Sequence, residues 1–110
     1  MTLAPSISLI VATYNWPRAL ELVLESVQRQ RVPPLEVVIA DDGSRDETRA
    51  LIDRLRPSMP VPVVHIWHED TGFRLAAIRN KAIAAARGEY VVQIDGDIVL
   101  HPQFIRAHAS

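Results

Sequence analysis

Three apolar runs in this chain each end at a polar or acidic cluster. Ile7 to Ala12 leads to Tyr14-Asn15, Val37 to Ala40 to Asp41-Asp42, and Tyr90 to Ile94 to Asp95-Gly96-Asp97. Between the first two, Leu20, Val23, Leu24 and Val27 recur at i, i+3, i+4 and i+7, the spacing of one helical face. Nearly unbroken apolar strands alternating with amphipathic helices are the pattern of a parallel sheet covered on both faces. In such a sheet the strands share one carboxyl edge, where open α/β sheets bind ligands. The three clusters are therefore predicted to line one site.

The rest of the chain extends the alternation. Ser6 to Thr13 and Glu36 to Ala40 read as buried strands, and Pro17 suits a first helical turn. Ser44 and Glu47 have capping-box spacing ahead of Leu51, Ile52 and Leu55. Val61 to Trp67 reads as a third strand with an irregular start at Pro60 and Pro62. Gly72 precedes a helical stretch through Leu75, Ile78, Ala82, Ile83 and Ala86, with Gly88 as its stop. Tyr90 to Ile94 is the fourth strand, and Pro102 opens a short last helix through Phe104 and Ile105. The order βαβαβαβα predicts a three-layer α/β sandwich.

Composition removes several function classes. At 110 residues the chain suits one domain, and a net charge of -1 without a basic run gives no footprint for nucleic acid. Without cysteine there is no disulfide, thiolate metal site or thiol nucleophile. The opening apolar run is too short for a signal sequence or a transmembrane segment, so cytoplasmic placement is expected. No GxGxxG follows the first strand, and no P-loop or serine elbow occurs. Phosphates would depend on metal instead: acids gathered beside a nucleotide cleft repel one another unless a cation is present, and a divalent ion carrying a diphosphate supplies it.

The Thr13-Tyr14-Asn15 turn, the Val38-Ile39-Ala40-Asp41-Asp42-Gly43-Ser44 segment, the Arg79-Asn80 pair and the Asp95-Gly96-Asp97 triplet, in that order and spacing, resemble family 2 glycosyltransferases of the GT-A fold. Nearly the whole chain takes part. The stretch from Gly72-Phe73-Arg74 to Asn80, followed by His101-Pro102-Gln103-Phe104, resembles the chondroitin-polymerase type most. The resemblance implies the N-terminal half of a Rossmann-like three-layer sandwich with a mainly parallel sheet. It also implies metal-dependent, inverting transfer of a sugar from a UDP-sugar donor to a glycan or other hydroxyl acceptor in polysaccharide biosynthesis, with Mn²⁺ or Mg²⁺ as cofactor.

Carried onto this sequence, the resemblance makes Asp42 the acceptor of the uracil N3 hydrogen and Tyr14 the residue against the uracil ring, with Thr13 and Asn15 setting the loop. Asp95 is expected on sugar or ribose and beside the metal, Asp97 on the metal, and Gly96 where backbone must approach the ligand. Arg79 is expected near the nucleotide, pairing with phosphate or holding an acid in place. Asp41 stands between a ribose contact and a turn role, and Arg74, Glu69 and Asp70 border the donor sugar in the narrower subgroup. Plainer readings stay open: Asp42 as a turn carboxylate at the amino end of the Ser44 helix, Asn15 and the Asp-Gly-Asp triplet as ordinary turns, Arg79 as a solvated helix charge. His65, His68, His101 and His108 lack zinc-site spacing and read as surface or packing residues. Trp16 and Trp67 read as cleft walls or core.

Length is the chief departure from the family. Acceptor-binding segments, a further metal ligand and the carboxylate base are expected beyond the Asp-Gly-Asp triplet, so no catalytic base is assigned, and residues 1–110 read as a single donor-binding domain that transfers poorly alone. Peripheral membrane association would rest on regions outside these residues. Two other classes compete: a non-catalytic nucleotide-binding module, and a phospho-receiver domain. The receiver requires an acidic pair after its first strand, where this chain has Tyr14-Asn15.

Overall fold

The structure, a computed structural model, describes residues 5–72 and 74–109. Phe73, within the Gly72-Phe73-Arg74 stretch, lies outside the described residues. The elements are β1 (Ile7–Thr13), α1 (Pro17–Gln28), β2 (Glu36–Asp41), α2 (Asp46–Leu55), a 3₁₀ turn (Arg56–Ser58), β3 (Val63–Trp67), α3 (Leu75–Ala85), β4 (Tyr90–Asp95) and α4 (Phe104–Ala109). Among the described residues no helix is long and apolar enough to cross a membrane.

The sheet has the order β3-β2-β1-β4, and every pairing is parallel. Side-chain alternation divides the two faces. Ile7, Leu9 and Val11 join Val37, Ile39, Val63 and Ile94 beneath α1, α2 and α4, packing on Leu20, Leu24, Ile52 and Ile105. Ile10, Val38 and Ala40 face the other way, onto Ile78 and Ala82 of α3. This is the expected three-layer α/β sandwich, and burial on both sides accounts for the unbroken apolar runs of β1 and β2. The chain builds outward from β1 to β3 and then returns to place β4 on the far side of β1. That reversal makes a topological switch point between β1 and β4, and opens a crevice at their carboxyl ends.

Three local expectations are corrected. The Ser44-Glu47 capping box does not form: Ser44 Oγ accepts the Asn15 N–H at 2.8 Å, while its own N–H donates to Asp41 Oδ1 at 2.9 Å. The helix starts at Asp46 instead, where Asp46 and Glu47 in the first turn complement its dipole. β3 starts at Val63 rather than Val61, because Pro62 has no N–H to give; its carbonyl accepts the Val37 N–H at 3.0 Å. α3 ends at Ala85, ahead of Gly88. Gly88 serves packing, since a Cβ there would meet Ser8 N at 2.6 Å.

Candidate functional site

The loops after β1 and β2 are joined backbone to backbone and through Asn15. Asp42 N–H donates to the Thr13 carbonyl at 3.1 Å, and Arg45 N–H donates to Asn15 Oδ1 at 2.8 Å. Asn15 adopts a φ of 46°, a left-handed conformation that a short, locally bonded amide tolerates. The loop after β3 then lies on the loop after β2 at Gly43, whose φ is 90° and whose absent Cβ would sit 2.5 Å from Asp70 N. At the β4 end a Cβ on Gly96 would fall on the Ala12 carbonyl oxygen, so glycine is what lets the Asp95-Gly96-Asp97 turn close against β1.

These loops enclose a cavity of about 450 Å³. β1 and the residues after it supply Ala12, Thr13, Tyr14 and Trp16; β2 supplies Asp42; the β4 end supplies Asp95, Gly96 and Asp97. Asp70, Gly72 and Leu75 close the side beneath α3. Tyr14 Oη donates to Asp70 Oδ2 at 2.6 Å across the mouth. That hydrogen bond, then partial desolvation and the Asp70 charge, hold the Tyr14 hydroxyl above the ordinary phenol value.

Of the residues expected from the sequence, Thr13, Tyr14, Asp42, Asp95, Gly96 and Asp97 meet at this cavity, whereas Asn15, Asp41 and Arg79 do not line it. Asp41 is fully buried and spends its oxygens on Ser44 N–H and on His65 Nε2, 2.8 Å away. Arg79 acts on the cavity through a neighbour: its Nη2 donates to Asp95 Oδ1 at 2.8 Å, tying α3 to the end of β4. Asp42 is buried, with Oδ1 2.5 Å from His68 Nε2 and Oδ2 3.1 Å from the Arg74 N–H. Its capping role is thus at the amino end of α3, not at the Ser44 helix. Trp16 is a wall of the cavity, while Trp67 donates its Nε1–H to the Ser44 carbonyl at 3.0 Å.

The reading of His65 and His68 as surface or packing side chains passed over their pairing with Asp41 and with Asp42 of the cavity. A signal existed in the parallel register. Asp41 of β2 pairs with Trp67 of β3, so the residues following each strand, Asp42 and His68, emerge side by side.

The donor set bears on a divalent cation. Among the described residues no three His, Cys, Asp or Glu side chains form a metal cage. Asp97 is exposed and makes no hydrogen bond or ion pair among the described residues, and Asp95 keeps one oxygen clear of Arg79. Mg²⁺-like ions are held by one or two carboxylates plus substrate phosphates rather than by all-protein cages, so these residues fit an ion that arrives with a diphosphate.

Residues 8–110 match the glycosyl transferase family 2 profile. The chain belongs to this family. It is 36% identical over 101 residues to EpsH of Bacillus subtilis, covering 91% of this chain and 28% of that protein. It is 30% identical over 104 residues to the chondroitin synthase of Pasteurella multocida, covering 94% of this chain and 10% of that one. Among solved structures, S. aureus TarS 1-349 in complex with UDP-GlcNAc superposes with a TM-score of 0.78 at 29% identity, over 94% of this chain and 30% of that chain. The mannosyltransferase PcManGT from Pyrobaculum calidifontis, in complex with GDP-Man and Mn²⁺, gives 0.81 at 31% identity, over 93% and 30%. The fold is that of GT-A glycosyltransferases, and the chain spans under a third of each of these relatives.

Proposed function

We propose that these residues are the donor-binding part of a metal-dependent, inverting glycosyltransferase that takes a UDP-sugar. The observation that carries the reading is the convergence of Asp42 from the β2 end with Asp95 and Asp97 from the β4 end on one cavity. TarS with UDP-GlcNAc and PcManGT with GDP-Man and Mn²⁺ support a nucleotide-sugar donor and a divalent ion here too.

Each residue has work on this reading. Asp42 accepts the imide N–H of the base, and Tyr14 and Trp16 wall the base site. Asp97 and the clear oxygen of Asp95 hold the ion together with the diphosphate, while Arg79 fixes the orientation of Asp95. Negative charge developing on the departing nucleoside diphosphate is stabilised by such an ion when it is bound. Inversion needs a carboxylate to deprotonate an acceptor hydroxyl attacking from the opposite face, and no described residue is given that role.

Thermal shift with UDP, GDP and CMP, each with and without Mn²⁺, tests base and ion together, because ligand binding to the folded state raises stability by mass action. UDP with Mn²⁺ is expected to give the largest shift. Asp42→Ala and Asp97→Ala are each expected to remove most of it. A shift indifferent to both substitutions would move the donor site elsewhere.

A further inference from the structure

We propose that His68 and Lys81 are positioning residues that set the base selectivity of the cavity through Asp42. The inference rests on the proposed reading of Asp42 as the group that meets the base. Neither residue lines the cavity, and the His68 side chain is only 7% exposed, packed behind Asp42 where no nucleotide reaches it.

The order of the hydrogen bonds decides what His68 does. Lys81 Nζ lies 3.4 Å from His68 Nδ1, and His68 Nε2 lies 2.5 Å from Asp42 Oδ1. A lysine ammonium has donors and no acceptor, so Nδ1 must present its lone pair and the ring proton sits on Nε2. The chain therefore runs one way, from the Lys81 ammonium through neutral imidazole to the Asp42 carboxylate. With the Arg74 N–H on Oδ2, both Asp42 oxygens receive a donor from the protein, which fixes the carboxylate plane and leaves each oxygen with capacity to accept once more.

That arrangement has a chemical preference. An acceptor held in place and shielded from water matches a base that presents a ring N–H, as uracil does at N3. Cytosine presents a lone pair at the same position and meets acceptor with acceptor. If Asp42 were free to rotate, its oxygens would no longer be held toward the base N–H and the preference would fade. Lys81 on α3 and His68 in the loop after β3 thus act on base choice without lining the cavity themselves.

The test is calorimetric titration of the 110-residue protein with UDP and with CDP, both with Mn²⁺ at one pH. His68→Phe keeps a planar aromatic ring and removes the donor, and is expected to lower the UDP-to-CDP affinity ratio roughly ten-fold, the effect of losing one charge-assisted hydrogen bond. His68→Gln places an amide N–H near the Nε2 position and is expected to restore most of the ratio. Lys81→Met keeps the stem and removes the ammonium; ¹⁵N spectra of the imidazole are expected to show a single Nε2–H tautomer in the wild type and a mixture in this variant. A packing role alone would weaken both nucleotides equally and leave the ratio intact, which overturns the proposal. So does an Nδ1–H tautomer in the wild type, a readout that stands even where His68→Phe fails to fold. Wild-type protein that binds neither nucleotide, or shows no preference between them, overturns the donor-site reading itself, a result seen before any substitution is made.

Discussion

Gly96 shows how a single missing methyl group shapes the site. Asp95 and Asp97 reach the cavity because the turn between them lies against the Ala12 carbonyl at the end of β1, and any Cβ would fall on that oxygen. The obstacle is backbone, which cannot move aside as a flexible side chain can. Gly96→Ala is expected to cost about 1–3 kcal/mol in urea unfolding, the usual range for forcing atoms into a packed site. It should also displace the two acids and reduce the UDP–Mn²⁺ thermal shift by more than the loss of stability explains. An alanine variant with wild-type stability and an undiminished shift would show that the close approach is immaterial.

Between elements, buried polar pins hold the parallel strands in register at the end of the sheet away from the cavity. Glu36, at the start of β2, accepts from Ser8 Oγ of β1 at 2.7 Å and from the Arg87 N–H, in the loop before β4, at 2.7 Å. Burial alone would raise its carboxyl pKa, but the Arg87 N–H, the Ser8 hydroxyl and the Arg87 guanidinium together outweigh it and hold the value below the usual 4.5. A depressed folded-state value means that the unfolded chain takes up the proton first. The contribution of Glu36 is therefore complete above about pH 4.5 and is lost as the pH falls through the lower folded value. Glu36→Gln is expected to destabilise by roughly 1–3 kcal/mol near neutrality, with the gap to wild type shrinking below pH 4.5. Urea unfolding across pH 3–7 measures the gap, and a pH-independent difference would point to packing rather than charge.

At the scale of the molecule, the sheet is unevenly covered. The core under α3 draws on β1, β2 and β3 and, among the described residues, includes none from β4. β4 is an edge strand, and around it Tyr90 (61%), Ile98 (44%) and Val99 (55%) are exposed, with Val91 exposed on the α3 side. An open edge flanked by apolar side chains is a template for strand pairing between chains. Light scattering over a concentration series is expected to show self-association of the 110-residue protein, and Val91→Lys, which puts a charge beside that edge, should suppress it. A mass that stays monomeric throughout would mean that the edge is silent.

The periodicities were enough to order the elements and to show that both faces of the sheet are covered, because strand and helix repeats are local consequences of what each segment buries. They also brought Asp42, Asp95 and Asp97 to one edge, since parallel strands can end only on the same side. Hydrogen-bond partners were not legible in this way. Ser44 has the spacing of a helix cap and is used by Asn15 instead; Asp41 and Asp42 are adjacent in the chain, yet one turns inward to His65 and the other faces the cavity. Such choices depend on which partner lies within three ångströms once the strands and loops have packed, and that distance is set by residues twenty to thirty positions away rather than by neighbours in the chain.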